Sequence, residues 1–101
     1  MTFKHNPRRE QLEDALASRI LVLDGAMGTM LFDRNLKAAD YGGAKTEGCH
    51  EYLNITRPDV IRDIHRAYFA AGSDIVETNS FGGAQVVLDE FGLTGKAYEI
   101  A

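Results

Sequence analysis

Several residue types that mark whole classes of protein are scarce or missing in this sequence. Among 101 residues there is no tryptophan, and there is one cysteine, Cys49. One cysteine excludes an internal disulfide and is typical of a reducing compartment, so we expect a cytoplasmic protein. No apolar run approaches the roughly 18 residues that a membrane span requires, and the N-terminus has no apolar leader. We therefore expect neither membrane insertion nor secretion.

Basic residues are also fewer than acidic residues. The chain has 11 basic and 15 acidic residues, which gives a net charge of -4 at pH 7. A nucleic-acid surface needs a basic stripe, whereas Lys4, Arg8 and Arg9 are scattered near the start of the chain. The composition therefore indicates no nucleic-acid partner.

The most informative segment is an apolar run that ends in an acid and a glycine-containing turn. Residues 20–23 are all apolar, which predicts a parallel strand buried on both faces. Asp24 follows at its carboxyl end, where parallel α/β proteins place their chemistry. Gly25 and Gly28 let the backbone turn tightly and present N–H groups to an anion. A carboxylate beside such N–H groups suits the amino and carboxylate groups of a free amino acid.

A second segment has the same order of an apolar run followed by an acid and polar residues. Residues 74–77 predict another short strand, and its polar end is Glu77, Thr78 and Asn79. A single acid in such a place is more often a solvated loop residue or a helix N-cap. Two acids at equivalent strand ends favour a site, because Asp24 and Glu77 would reach the same rim.

Helical spacing and capping signals account for most of the remaining chain. Asn6 predicts an N-cap with Pro7 in the first turn, and Thr56 with Asp59 predicts a capping box. Gly72 predicts a helix end. The predicted helices are 7–18, 27–35, 57–71, 84–90 and 96–101. Residues 36–56 lack a period and predict a long loop over the active face. The order predicts an α/β fold with a βαβα arrangement and a right-handed crossover.

Other chemistries fit the residues less well. The 25–28 loop lacks both the Gly-Lys-Ser/Thr ending of a P-loop and the third glycine of a dinucleotide fingerprint. A phosphatase of the haloacid dehalogenase type needs a second Asp two positions after the first, and Ala26 stands there. Cys49 and His50 are adjacent and have no zinc-ligand spacing, so Cys49 is predicted to be an ordinary loop residue.

Three motifs in order resemble one family. Residues 23–30 (LDGAMGTM), 52–61 (YLNITRPDVI) and 75–82 (IVETNSFG) are similar to the start of the homocysteine-binding domain of cobalamin-dependent methionine synthases. The wider family includes homocysteine methyltransferases that use betaine or S-methylmethionine. The spacer at residues 40–49 looks more like the cobalamin-dependent branch.

The resemblance implies a fold and a domain organisation. The family domain is a (β/α)8 TIM barrel, which typically needs about 250 residues. We therefore expect residues 1–101 to be a truncated N-terminal portion of that barrel. Residues 1–18 would be a leading helix and residues 19–101 the first two βα units. The predicted helix at 96–101 has no terminating residue, which agrees with a truncated chain.

The resemblance also implies an activity. The reaction would transfer a methyl group from methylcobalamin to the zinc-bound thiolate of homocysteine and give methionine. Asp24 would hold the substrate amino group, and the N–H groups of Gly25, Ala26 and Met27 would hold its carboxylate. The pocket would be shaped by the second rim, which consists of Glu77, Thr78 and Asn79.

The cofactors implied by the resemblance belong to other parts of a parent enzyme. The family's zinc ligands are cysteines on later strands, so we expect no metal ligand and no catalytic residue in this chain, and no activity from it alone. Cobalamin and methyltetrahydrofolate would be bound by further domains. The alternatives are a homocysteine methyltransferase that uses betaine or S-methylmethionine, or a non-catalytic small α/β binding domain.

Overall fold

The computed structural model describes residues 6–101, and over that range regular structure is helical. The helices are α1 (Pro7–Ser18), α2 (Met27–Phe32), α3 (Leu53–Thr56), α4 (Pro58–Ala71), α5 (Gln85–Asp89) and α6 (Ala97–Ile100). Two 3₁₀ turns, Ala38–Tyr41 and His50–Tyr52, lie between α2 and α3. None of the helices in the described part of the chain has both the length and the apolarity that a membrane crossing requires.

The predicted βαβα portion of a TIM barrel is wrong for this structure. Within residues 6–101 there is no β-strand, and only an isolated parallel bridge joins Leu23 to Ile75. The physical reason is that a doubly buried strand needs neighbouring strands and covering helices. Here the side chain of Ile20 is 88% exposed and that of Val22 is 52% exposed. The apolar run is extended, but nothing encloses it.

The bridge nevertheless brings the two predicted strand ends side by side. The Asp24 N–H donates to the Ile75 carbonyl at 3.0 Å, and the Asp74 N–H donates to the Val22 carbonyl at 2.8 Å. The parallel alignment of segments 20–23 and 74–77 is therefore present over a single register position. This local pairing is sufficient to place Asp24 next to Glu77.

Helix α1 begins as its capping signal predicts. The Asn6 side chain accepts a hydrogen bond from the Arg8 N–H at 2.9 Å, and Pro7 is the first helical residue. The leucines of α1 are not buried, because Leu12 is 42% exposed and Leu16 is 57% exposed. The cap fixes where α1 starts, but its apolar residues have no surface to cover.

Helix α4 is the main packing element of the chain. It buries Val60, Ile61 and Ile64, and it ends at Gly72, whose φ of +112° favours glycine. The predicted capping box is wrong, since the N-cap is Arg57 and no side chain caps the helix. The Thr56 hydroxyl instead donates to the Tyr52 carbonyl at 3.4 Å.

Two separate apolar clusters form the core. The first surrounds α4, and its buried members are Leu31, Tyr41, Leu53, Val60, Ile61 and Ile64. The second lies near the C-terminus, and its buried members are Cys49, Leu88, Leu93 and Ile100. Both clusters draw on residues 36–56, which were predicted to be a structureless loop. That segment is ordered because its scattered apolar side chains, Tyr41, Cys49 and Leu53, are buried in these clusters.

The other helices follow their predicted positions with shorter spans. Helix α2 covers Met27–Phe32 within the predicted 27–35, and α5 covers Gln85–Asp89 within the predicted 84–90. Helix α6 covers Ala97–Ile100. Gly92, shortly after α5, has a φ of +71°, a conformation that favours glycine.

Candidate functional site

A cleft of about 250 Å³ opens where the two bridged segments end. It is lined by Asp24, Gly25, Ala26, Met27, Glu77, Thr78, Asn79, Ser80 and Phe81. All seven residues predicted from the sequence as site residues are therefore brought together around one cavity. Ser80 and Phe81 were not predicted, although they continue the same motif directly after Asn79.

The carboxylate of Asp24 joins the two sides of the cleft. Its Oδ2 atom accepts a hydrogen bond from the Glu77 N–H at 3.2 Å. Its Oδ1 atom is buried and has no hydrogen-bond partner in the described part of the protein. A buried carboxylate oxygen without a donor is costly, so this atom is prepared to accept a hydrogen bond from a bound group. Glu77 adds an exposed second carboxylate to the same rim.

The turn at residues 25–27, hereafter the 25–27 turn, supplies free donors on the other side. Within residues 6–101 the backbone N–H groups of Gly25, Ala26 and Met27 donate to no protein acceptor. Gly25, Ala26 and Met27 all line the cleft, and unpaired backbone N–H groups in such a turn are suited to an anion such as a carboxylate. The cleft therefore offers acceptors for a cationic group and donors for an anionic one.

Gly25 is needed for a different reason from the one predicted. Neither Gly25 nor Gly28 has a positive φ, so the tight-turn explanation is wrong for both residues. A Cβ on Gly25 would lie 3.1 Å from the Tyr68 hydroxyl and 3.3 Å from its Cε1 atom. The same hydroxyl donates to the Ala26 carbonyl at 2.6 Å. Glycine at position 25 thus makes room for Tyr68 of α4.

The side-chain amides of Asn54 and Asn79 anchor the second rim to segment 50–54. The Asn79 side chain donates to the His50 carbonyl at 2.8 Å and to Asn54 Oδ1 at 2.9 Å. In return the Asn54 amide donates to the Asn79 carbonyl at 2.7 Å. The Asn79 amide group is therefore engaged with segment 50–54, and a direct contact between it and a ligand stays a prediction.

Two further contacts shape this rim. The Thr78 and Ser80 hydroxyls are 2.7 Å apart and bond to each other. The Gly82 N–H donates to Glu51 Oε1 at 3.1 Å, and a side chain at position 82 would collide with that carboxylate. Sequence reasoning missed Tyr68, Asn54 and Glu51 because each acts over 25 or more positions in the chain. No local spacing signals such contacts.

The carboxylate of Asp74 makes a hydrogen bond and an ion pair, hereafter called the clamp, that support the bridge between Leu23 and Ile75. Asp74 Oδ2 accepts a hydrogen bond from the Val22 N–H at 3.0 Å, and Asp74 Oδ1 lies 3.0 Å from Arg19. The Val22 N–H, together with Arg19, holds the pKa of the Asp74 carboxyl below its ordinary value. The clamp fixes the spacing of the segments that carry Asp24 and Glu77.

The described residues do not offer a zinc site. No group of three or more His, Cys, Asp or Glu side chains between residues 6 and 101 is arranged to hold a metal ion. Cys49 is buried in the second apolar cluster, and burial raises the pKa of its thiol. The neighbouring His50 instead directs Nδ1 to the Tyr41 hydroxyl at 3.1 Å. The two side chains have separate surroundings and do not share a ligand position.

Comparison with known proteins defines the class to which this cleft belongs. Residues 21–101 match the model of the homocysteine S-methyltransferase family, and the chain belongs to that family. It is similar to the methionine synthase of Mycobacterium leprae (strain TN), with 48% identity over 90 residues, which is 89% of this chain. It is also similar to the methionine synthase of Mycobacterium tuberculosis (strain ATCC 25618 / H37Rv), with 56% identity over 71 residues, or 70% of this chain. The chain spans only 7% and 6% of the lengths of these two curated relatives.

Proposed function

We propose that this chain carries the part of a homocysteine S-methyltransferase that binds the amino-acid end of homocysteine. The observation that carries the proposal is that Asp24, whose Oδ1 atom is buried and has no hydrogen-bond partner among the described residues, lines the same cleft as residues 25–27, whose N–H groups have no protein acceptor there. Membership of the homocysteine S-methyltransferase family supplies the substrate class. Methyl transfer to homocysteine is then the reaction that the whole enzyme performs.

Each side of the cleft has one role in this proposal. Asp24 accepts a hydrogen bond from the substrate ammonium group, and the exposed carboxylate of Glu77 adds negative charge to the same rim. The N–H groups of Gly25, Ala26 and Met27 bind the substrate carboxylate. Thr78 and Asn79 shape the second rim. Binding at both ends of the amino acid fixes the direction in which the thiol side chain extends.

The methyl donor and cofactors form the finer part of the proposal. The resemblance of the three motifs supports methylcobalamin as donor and methionine as product. Zinc does not fit the described residues, so its ligands are proposed to lie outside this chain. Cobalamin and methyltetrahydrofolate are assigned to other domains of a longer cytoplasmic enzyme. Residues 1–101 would be the N-terminal part of its homocysteine-binding domain, with residues 1–18 as a leading segment.

A donor comparison tests this function in the full-length protein. Purified enzyme is supplied with homocysteine and, in separate reactions, with methylcobalamin, betaine or S-methylmethionine, and methionine is measured. The proposal expects methionine with methylcobalamin and none with the other two donors. Methionine from betaine or S-methylmethionine would move the protein to another branch of the family. No methionine from any donor would contradict the proposed activity.

A further inference from the structure

Tyr68 of helix α4 touches the 25–27 turn although it does not line the cleft itself. Its hydroxyl donates to the Ala26 carbonyl at 2.6 Å, and a Cβ on residue 25 would lie only 3.3–3.5 Å from its ring. These two contacts join residues that are 42 positions apart in sequence. The position of the 25–27 turn therefore depends on contacts with a distant helix as well as on local contacts.

The surroundings of Tyr68 make it a firm support. Its side chain is half-buried and packs against the first apolar cluster, which includes Ile64 of the same helix. Helix α4 is anchored by Val60, Ile61 and Ile64, each of which is buried. A hydroxyl carried by such a helix holds the Ala26 peptide at a fixed distance from the core. The orientation of that peptide decides where the neighbouring N–H groups point.

We propose that Tyr68 is a positioning residue that sets the 25–27 turn for the carboxylate of the substrate. The inference rests on the proposed function, because it assumes that the ligand of the cleft is homocysteine. It adds a residue outside the cleft and assigns it to one end of the substrate. The hydrogen bond to Ala26 aligns the N–H donors before the ligand arrives, which lowers the cost of ordering them on binding.

The role predicts a selective effect that general destabilisation would not produce. Tyr68→Phe keeps the ring and its contact with the apolar cluster, and only the hydroxyl is lost. The alignment of the carboxylate donors should weaken, whereas Asp24 and the amino-group side of the cleft should not change. One hydrogen bond of ordinary strength corresponds to about a fivefold change in affinity.

Two ligands separate the two ends of the cleft in the experiment. Homocysteine carries the carboxylate, and 3-aminopropane-1-thiol is the same molecule without it. Dissociation constants of both ligands are measured by calorimetry for the full-length protein, for Tyr68→Phe and for Asp24→Asn. Tyr98→Phe is the matched control, because it removes the same hydroxyl from a tyrosine that is 97% exposed.

We expect Tyr68→Phe to weaken homocysteine about fivefold and to leave the amine-thiol within about twofold. We expect Asp24→Asn to weaken both ligands and Tyr98→Phe to change neither. In steady-state assays Tyr68→Phe should raise KM for homocysteine and leave kcat unchanged.

Three results would overturn the inference in distinguishable ways. Unchanged homocysteine binding in Tyr68→Phe, with weakened binding in Asp24→Asn, would remove the role of Tyr68 and leave the proposed function standing. Equal weakening of both ligands in Tyr68→Phe would show a purely structural role. Failure of the unaltered protein to bind homocysteine would remove the proposed function, and the inference would fail with it.

Discussion

The two carboxylate oxygens of Asp24 have different surroundings. Oδ2 accepts a hydrogen bond from the Glu77 N–H, whereas Oδ1 is buried and has no donor among residues 6–101. The position of Asp24 after an apolar run predicted a candidate site, and Asp24 lines a cleft in the structure. The different surroundings of the two oxygens depend on the segment that carries Glu77, so no local pattern around Asp24 predicts them.

Gly25 and Gly28 provide a matched pair of glycines at the residue scale. A Cβ on Gly25 would lie 3.1 Å from the Tyr68 hydroxyl and 3.3–3.5 Å from its ring, whereas a Cβ on Gly28 would meet no atom within 4 Å. We predict that Gly25→Ala in the full-length protein shifts Tyr68 and weakens its hydrogen bond to Ala26, which destabilises the fold by about 0.5–1.5 kcal/mol. Homocysteine affinity should fall in the same variant.

Gly28→Ala is the control for that substitution. Gly28 lies inside α2, where alanine is favoured over glycine by roughly 0.5–1 kcal/mol. Denaturant unfolding and calorimetric homocysteine binding should therefore show Gly28→Ala to be neutral or slightly stabilising. Equal effects of the two alanine substitutions would contradict the close packing of Tyr68 on Gly25.

At the scale of elements, helices were predictable and strands were not. The helix α1 start at Pro7 and the α4 end at Gly72 follow from local caps, since a helix satisfies its hydrogen bonds within one segment. A strand obtains its partners from distant segments. Residues 20–23 and 74–77 have the apolar content of strands, but only Leu23 and Ile75 pair. The apolar content of the two segments indicated where they pair, but it predicted a longer paired region than the single bridge.

The clamp at Asp74 should make the paired segment sensitive to acid. The pKa of Asp74 lies below its ordinary value of 3.8 because the Val22 N–H and Arg19 stabilise the charged form. Its contribution to stability is therefore complete above pH 3.8 and is lost as the pH falls through the lowered pKa of the folded state. Protection of the Asp24 and Asp74 amides from hydrogen exchange, measured relative to the intrinsic rate at each pH, should fall over that acidic range.

Substitution tests the same clamp at neutral pH. Asp74→Asn replaces the charged acceptor of the Val22 N–H, so we predict faster exchange at the Asp24 and Asp74 amides. Asp63→Asn is the control, because Asp63 is exposed and its nearest ion-pair contact, with Arg34, is 3.8 Å long. Unchanged exchange in Asp74→Asn would show that the bridge is held without the clamp.

At the scale of the whole molecule the chain is flat and open. Its dimensions are 47 × 37 × 18 Å and its radius of gyration is 16.1 Å, whereas a compact domain of this length has a radius of about 13 Å. The apolar side chains of Ile20, Phe32 and Phe81 are each more than four-fifths exposed, at 88%, 84% and 106%. Its buried apolar side chains form two small clusters instead of a single core.

We predict that the isolated 101-residue chain has low stability. The two clusters bury too few side chains to offset a chain entropy of about 1–2 kcal/mol per residue. Purified chain should show weak hydrogen-exchange protection, a broad thermal transition and a tendency to associate through its exposed apolar residues. A sharp, cooperative melt from a monomer would contradict this expectation and would favour a free-standing domain.

The most direct test of the account is the affinity of the full-length protein for homocysteine before and after Asp24→Asn. Calorimetry should show a loss of about 1.5–3 kcal/mol, which is about tenfold or more in Kd, because a charge-assisted hydrogen bond to the ammonium group is removed. Asp33→Asn, at an exposed position after α2, should bind homocysteine like the unaltered protein. The same Kd for Asp24→Asn and the unaltered protein would contradict the assignment of this cleft to homocysteine.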